Sequence, residues 1–185
     1  MKTALLASYA KDEPLIRLGK LLTAHDWSLL GSAGTAKFLN ENGTPCRDVA
    51  EIVGAPILGH RVVTLSREIH AGLLSRDEDA GELERLGIPR IDLVYVTLYP
   101  LEETIRAGGT SHDVIEKTDI GGPTLLRAAA KGRRIVLSSP EQIDDASKLI
   151  QGEADEHFLN RLVAAAERRC AEYIGISADY WEQHA

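Results

Sequence analysis

The segment TDIGGPTLLRAAAK, from Thr118 to Lys131, decides the fold. An acidic residue, the glycine pair Gly121 and Gly122, and a proline precede a run rich in leucine and alanine. Proline suits the first helical position, and the Ala/Leu run favours a helix as far as Gly132. The segment predicts a helix with an exposed, glycine-lined N-terminus, whose amides attract anions. A glycine turn before a packing helix with a solvated Lys131 is the alternative.

Composition and charge restrict the class of protein. A chain of 185 residues with 44% hydrophobic content fits one domain, 1–185, with a substantial core. The formal net charge of −7 argues against a nucleic-acid partner, because a phosphate backbone requires a basic surface. Cys46 and Cys170 lack metal-ligand spacing, which predicts free thiols and no metal site. No apolar run suits a signal or a membrane span, so we expect a cytoplasmic protein without a membrane partner.

Strands and helices alternate along the predicted chain. Strands are predicted at Thr3 to Ala7, Trp27 to Leu30, Ile91 to Leu98 and Ile135 to Leu137. Helices are predicted at Pro14 to His25, from the Gly31 to Thr35 turn to Asn42, at Ser66 to Leu74, at Ser111 to Lys117 and at Pro140 to Leu149. This alternation predicts an α/β fold with a doubly wound, mostly parallel sheet flanked by helices.

A long terminal helix is predicted from Glu153 to Trp181, interrupted around Gly175. Its apolar side chains need covering, either by the rest of the domain or across a subunit interface. These side chains are Phe158, Leu162, Tyr173 and Ile176. We expect a homodimer.

Tyr99 follows the most apolar predicted strand. In open α/β sheets ligands bind beyond the carboxyl ends of the strands, which is where this tyrosine is expected. A functional role and a packing role are both compatible with that position.

Several motifs together resemble the inosine monophosphate cyclohydrolase domain, the N-terminal half of a bifunctional purine-biosynthesis enzyme. They are LGSAGTAKFL (Leu30 to Leu39), HRVVTLSREIHAGLLSR (His60 to Arg76), VTLYPLEETI (Val96 to Ile105) and DIGGPTLLRAAAK (Asp119 to Lys131), followed by RL, AEY and SADYW in the terminal segment. The resemblance covers essentially the whole chain and implies a methylglyoxal-synthase-like, three-layer Rossmann-like fold. No formyltransferase domain is expected in this sequence.

The resemblance also implies an activity and a set of site residues. The family's reaction is the dehydrative ring closure of a formamido-imidazole-carboxamide ribotide to a purine nucleotide, without a cofactor. The expected partner is therefore a nucleotide-like small molecule. The family's catalytic positions correspond to Tyr99, Asp119 and Lys131, and its substrate-binding positions to Lys11, Ser32, Gly34, Thr35, Arg61, Thr64, Gly121 and Gly122. Asp119 precedes the short predicted helix and Lys131 ends it, so we expect both side chains to face one pocket near Tyr99.

Some positions depart from the family pattern. Val63 stands where the family has an active-site lysine in G-R-V-K-T-L-H-P, and Ser66 and Arg67 replace its histidine and proline. Loss of one oxyanion donor typically costs about 10²–10³ in rate, unless Arg67 or Lys11 compensates. Within the pocket, Thr97 replaces an asparagine and Ala33 a glycine.

The first phosphate-contacting loop differs most from the family. It reads ASYAKDE, from Ala7 to Glu13, and keeps only Lys11 of the family's pattern. Asp12 and Glu13 place negative charge at the helix end that should receive a phosphate. We therefore expect weaker phosphate binding than in ordinary family members.

Three interpretations of function stay open. The first is the family's ring-closing enzyme, and the second is a paralogue that performs a related cyclisation or dehydration on another substrate in a specialised biosynthetic pathway. The third is a non-catalytic ligand-sensing module, since one fold serves several functions. Asp119 and Lys131 argue against the third interpretation, and Val63 and the altered first loop argue against the first. We expect a cyclohydrolase-like enzyme, with the altered-substrate paralogue next.

Overall fold

A five-stranded parallel sheet forms the centre of the computed structural model, which describes residues 1–59, 61–152 and 155–185. The strands are β1 (Thr3–Ser8), β2 (Ser28–Gly31), β3 (Arg47–Asp48), β4 (Leu93–Thr97) and β5 (Ile135–Leu137). Their order across the sheet is β3-β2-β1-β4-β5. The predicted α/β class with a parallel sheet is confirmed.

Helices connect the strands and cover the sheet. They are α1 (Glu13–Ala24), α2 (Ala33–Glu41), α3 (Ala50–Val53), α4 (Arg67–Leu74), α5 (Ala80–Leu86), α6 (Leu101–Arg106), α7 (Ser111–Glu116), α8 (Gly121–Lys131), α9 (Gln142–Ile150) and α10 (Glu156–Glu182), with a 3₁₀ turn at Asp77–Asp79. In the described ranges, no helix combines the length and apolarity that a bilayer crossing requires. Helix α1 contacts α2 and α9, whereas α8 contacts α4 and α10.

Strand β1 lies at the centre of the sheet, between β2 and β4. Its residues are buried almost throughout, which explains the continuous apolar run in its sequence. Ser8 at its end lies opposite Thr97 at the end of β4. After β1 the chain continues to β2, towards one edge of the sheet, and after β4 it continues to β5, towards the other edge. The strand order therefore reverses between β1 and β4, and a ligand-binding crevice is expected at this switch point, between the carboxyl ends of the two strands.

Helix α10 packs against α8 and β5 of the same domain, which is one of the two arrangements expected from its sequence. Leu162 and Tyr173 are buried, and Phe158 and Ile176 pack against the same hydrophobic core. The predicted interruption around Gly175 is wrong, because the helix is continuous from Glu156–Glu182. Its predicted first residue, Glu153, lies outside the described residues, and the homodimer stays a prediction.

The ends of two helices differ from the sequence-based expectation. Helix α8 begins at Gly121, before the proline, and Gly132 ends it with a φ of −75° that any residue adopts. A Cβ at Gly132 would lie 2.1 Å from the Leu73 carbonyl oxygen, so glycine is required there for close packing against α4. Helix α7 begins at Ser111 as predicted but ends at Glu116, one residue before the predicted Lys117, and it is capped by Thr110, whose hydroxyl accepts from the Asp113 amide.

Candidate functional site

Asp119 caps the start of α8 with its own carboxylate. Its Oδ1 accepts a hydrogen bond of 2.8 Å from the Gly122 amide. A Cβ at Gly122 would lie 2.5 Å from Asp119 Oδ2 and 2.6 Å from Leu98 Cδ2. The glycine therefore makes room for the carboxylate, and the helix end that we predicted to be open to a ligand is partly occupied by the protein itself.

The environment of Asp119 changes its acidity. Burial raises the pKa of Asp119, while hydrogen bonds from the backbone at Gly122, Tyr99 and Gly121 act in the opposite direction. A carboxyl group with a raised pKa accepts and returns protons closer to neutral pH than an ordinary aspartate. Asp119 is thus suited to proton transfer.

Tyr173 on α10 holds the segment that carries Asp119. Its hydroxyl accepts from the Asp119 amide at 2.8 Å and donates to the Lys117 carbonyl at 3.0 Å. Burial raises the pKa of Tyr173 to about 12, so the phenol keeps the proton that it donates. Tyr173 is not among the site residues predicted from the sequence, and its place in the AEY motif is the signal that could have indicated it.

Tyr99 lies beside Asp119 and packs against a second tyrosine in a tilted arrangement. The ring centroids of Tyr9 and Tyr99 are 5.1 Å apart, with an angle of 54° between the planes. The two side chains are 44% and 42% exposed, respectively, so both face the solvent side of the crevice. Burial first, and then the nearby Asp119 carboxylate, raise the pKa of Tyr99, which remains a hydrogen-bond donor. Tyr9 was missed because a tyrosine in a loop has no periodic or motif signal.

Thr97 fixes the first loop against the end of β4. Its hydroxyl accepts from the Ala10 amide at 3.1 Å and bonds the Ser8 hydroxyl at 2.7 Å. Asp12 caps α1 by accepting from the Leu15 amide at 3.2 Å. The expectation that this helix end carries the protein's own negative charge is confirmed.

Four of the predicted substrate-binding residues meet where β1 and β2 end. The Ser32 and Thr35 hydroxyls lie 3.0 Å apart, and the Thr35 hydroxyl accepts from the Ser8 amide at 3.2 Å. A Cβ at Gly34 would lie 3.6 Å from Lys11 Cε. The Lys11 amine donates to the carbonyls of Ser8 and Tyr9, and desolvation lowers its pKa although Asp12 opposes this.

The segment before α4 contributes one predicted residue to the crevice. A Cβ at Gly121 would lie 3.0 Å from Thr64 Oγ1, so Thr64 adjoins the start of α8. Val63, where the resemblance implies a lysine, packs against the hydrophobic core. Arg61 is exposed and its Nε donates to the Leu58 carbonyl at 2.8 Å. Arg67 is exposed and lies 3.3 Å from the Glu68 carboxylate, so it does not replace the lost cation.

Lys131 is remote from the other predicted catalytic residues. Helix α8 has 11 residues, and Asp119 adjoins its first residue whereas Lys131 is its last. At a rise of 1.5 Å per residue, the two ends of the helix lie about 15 Å apart. The predicted pair of Asp119 and Lys131 in one pocket is therefore not formed in this chain, and a catalytic role for Lys131 stays a prediction from the resemblance.

Known proteins are similar to this chain in both sequence and fold. The model of the MGS-like domain matches residues 14–124. The bifunctional purine biosynthesis protein PurH of Aquifex aeolicus is 44% identical over 76% of this chain and 29% of its own length. PurH of Oenococcus oeni is 41% identical over 97% of this chain and 37% of its own length. This chain thus spans about a third of those relatives.

A solved structure matches the chain over nearly its whole length. The crystal structure of ForH superposes with a TM-score of 0.81 and 32% sequence identity, covering 97% of this chain and 98% of the solved one. The similarity therefore extends through the sheet, the crevice and helix α10.

Proposed function

Since this chain belongs to the MGS-like domain family, we propose that it is a cyclohydrolase-type enzyme that closes a purine ring. The proposed substrate is a formamido-imidazole-carboxamide ribotide, and the products are the purine nucleotide and water. The similarity to the PurH purine biosynthesis proteins supports this substrate class. The observation that carries the proposal is the Asp119 carboxylate, held beside Tyr99 at the switch point of the sheet.

The reaction joins two groups of the same substrate. The carboxamide nitrogen attacks the formamido carbonyl carbon, the new N–C bond forms, and a proton passes from nitrogen to the former carbonyl oxygen. That hydroxyl group then leaves as water with a proton taken from the formamido nitrogen, and the carbon–nitrogen double bond of the new ring forms. The protein must hold the planar conformer, accept and return a proton, and stabilise negative charge on oxygen.

Each of these tasks has a candidate among the residues of the crevice. In the proposed mechanism Asp119 accepts the proton of the attacking nitrogen, because its raised pKa suits proton transfer. The Tyr99 phenol donates a hydrogen bond to the carbonyl oxygen as charge develops there. Thr64 adjoins the same helix end and supplies a further hydroxyl.

The phosphate of the substrate is proposed to bind at the start of α2. Ser32 does not cap this helix with its side chain, so the first-turn amides can bind an anion. Lys11 adjoins Gly34 in that turn, whereas the start of α1 is already capped by Asp12. In this protein only the start of α2 is proposed to bind the phosphate. In a family member whose first loop has no acidic cap, the start of α1 would be available as well.

The direct test of the proposal is the ring-closing reaction itself. The protein is expected to convert the formamido-imidazole-carboxamide ribotide to inosine monophosphate, with the rise in ultraviolet absorbance of the purine as the readout. The same ribotide without protein gives the background rate. Binding of the ribotide without any purine formation would contradict the proposal.

A second candidate function has specific support. The packing of Val63 against the core and the capping of α1 by Asp12 both remove features that the family uses. These changes favour a related cyclisation or dehydration of a different ring by the same Asp119 and Tyr99. This candidate predicts slow closure of the imidazole ribotide and faster turnover of another carboxamide with a neighbouring formamido group.

Phosphate binding gives a separate prediction. Lys11→Met is expected to weaken binding of inosine monophosphate about 10-fold or more, since a hydrogen bond to a charged group is lost. Arg61→Ala is expected to weaken it less, because Arg61 is exposed on its own loop. Calorimetric titration measures both variants, with the exposed Lys20→Met on α1 as the matched control. Equal affinity for Lys11→Met and the control would contradict the proposed phosphate site.

A further inference from the structure

Val63 stands where the resemblance to the cyclohydrolase family implies a lysine, so this sequence has no amine at that position. A ring closure that develops negative charge on oxygen benefits from a positive charge nearby. Lys11 adjoins the start of α2, where the phosphate is proposed to bind, and Arg67 pairs with Glu68. Lys131 stands at the far end of α8. None of these three side chains takes the place of the missing amine.

Lys117 lies beside the pair of tyrosine rings formed by Tyr9 and Tyr99. Its Nζ is 5.6 Å from the centroid of the Tyr9 ring, and the centroid of that ring is 5.1 Å from the centroid of the Tyr99 ring. Lys117 precedes Asp119 by two residues, and its carbonyl accepts from the Tyr173 hydroxyl at 3.0 Å. The segment that carries both the lysine and the aspartate is therefore anchored at one point.

The setting of Lys117 leaves its charge available to a ligand. The ion pairs found among the described residues do not include this lysine. A tyrosine face attracts an ammonium group by about 0.5–1 kcal/mol at an exposed site, without neutralising it as a carboxylate would. The half-buried Lys117 side chain is thus oriented by Tyr9 and is not paired with a carboxylate among the described residues.

We infer that Lys117 is the substrate-facing cation of this site and that Tyr9 is its positioning residue. The inference deepens the proposed function and rests on it for the identity of the ring. Lys117 places positive charge next to the ring atoms that become negative during closure. Tyr9 acts through the lysine and through its contact with Tyr99.

The effect of ring charge on binding can be measured by comparing two nucleotides that differ in the charge of the ring and share the same phosphate. Inosine monophosphate has a neutral ring and xanthosine monophosphate has an anionic ring at neutral pH, while both carry the same ribose phosphate. The ratio of their affinities, measured by calorimetry, cancels the phosphate contribution. We expect wild-type protein to prefer the anionic ring.

Lys117→Met is expected to lower this preference about 10-fold, as the loss of one partly exposed charge interaction predicts. Lys117→Arg is expected to retain the preference, and the exposed Lys148→Met on α9 serves as the matched control. An unchanged ratio in Lys117→Met would overturn the inference. An equal fall in Lys117→Arg would also overturn it, because the charge is kept in that variant.

A double variant tests whether Lys117 replaces the family's lysine. Val63→Lys is expected to restore ring-closing turnover to the Lys117→Met protein, and a merely structural role of Lys117 would not be rescued in this way. If the double variant does not fold, the affinity ratios decide alone. A wild-type protein that shows the ring-charge preference but closes no ring would refute the proposed function and leave the role of Lys117 intact.

Discussion

Asp119→Asn is expected to lower ring-closing turnover by about 10²–10⁴, the usual contribution of a positioned general acid or base. Asparagine keeps an oxygen that can accept from the Gly122 amide, so the cap of α8 is retained while the proton acceptor is lost. Turnover is measured by the ultraviolet absorbance of the purine product. The control is Asp144→Asn on α9, which removes an exposed carboxylate paired with Arg17.

The dependence on pH provides a second signature of Asp119. The ionised carboxylate is the base, so wild-type turnover is expected to fall as the pH drops through the pKa of Asp119, which burial raises. A group with a raised folded-state pKa stabilises the fold at pH values below its unfolded-state pKa, and this contribution is lost as the pH rises through the folded-state pKa. Near neutral pH, Asp119→Asn should therefore be at least as stable as the wild type. Unchanged turnover in this variant would remove the catalytic assignment.

Gly132→Ala is expected to lower the free energy of unfolding by about 1–3 kcal/mol, the usual cost of forcing extra volume into a packed site. The added Cβ would lie 2.1 Å from the Leu73 carbonyl oxygen, so α8 and α4 would have to separate. Denaturant unfolding followed by circular dichroism measures the change.

Gly175→Ala on α10 is the matched control and should have the opposite sign. A Cβ at Gly175 would meet no atom within 4 Å, and the residue lies inside a continuous helix. Alanine in a helix interior is favoured over glycine by about 0.5–1 kcal/mol, so this variant should be more stable than the wild type. Destabilisation by both substitutions would contradict the distinction between the two glycines.

Much of the fold was predictable from local sequence patterns. Strand β5 occupies the predicted range Ile135–Leu137, and Ser66 caps α4 by accepting from the Ile69 amide. Buried parallel strands are apolar throughout, and hydroxyl residues at helix starts have a direct hydrogen-bonding role. Such features are visible without knowledge of distant contacts.

Other elements depend on contacts that local patterns do not contain. The two residues of β3 and the short helices α3 and α6 were not predicted, since each is too short for a periodic pattern. The continuity of α10 across Gly175 was missed because neighbours such as Tyr173 and Ile176 pack on the core and outweigh one unfavourable residue.

The candidate site was predictable only where a motif carried the information. Lys11 and the loop from Ser32 to Thr35 meet as expected, and Asp119 lies beside Tyr99. The position of Lys131 was misjudged, because we inferred a shared pocket from sequence proximity although the full length of a helix intervenes.

The residues that surround the motif were not predictable in the same way. Tyr9 and Lys117 come from separate loops, and Tyr173 comes from the terminal helix. Their contacts arise only when the chain is folded.

The hydroxyl of Tyr173 also sets an order of events during synthesis. It lies 54 positions after Asp119, whose amide it holds. Synthesis proceeds from the N-terminus, so the ribosome makes all five strands before it makes α10. The hydrogen bond from the Asp119 amide to Tyr173 can form only after α10 has been made and has packed against the domain. The loop that carries Asp119 therefore depends on a residue that is synthesised after the whole sheet.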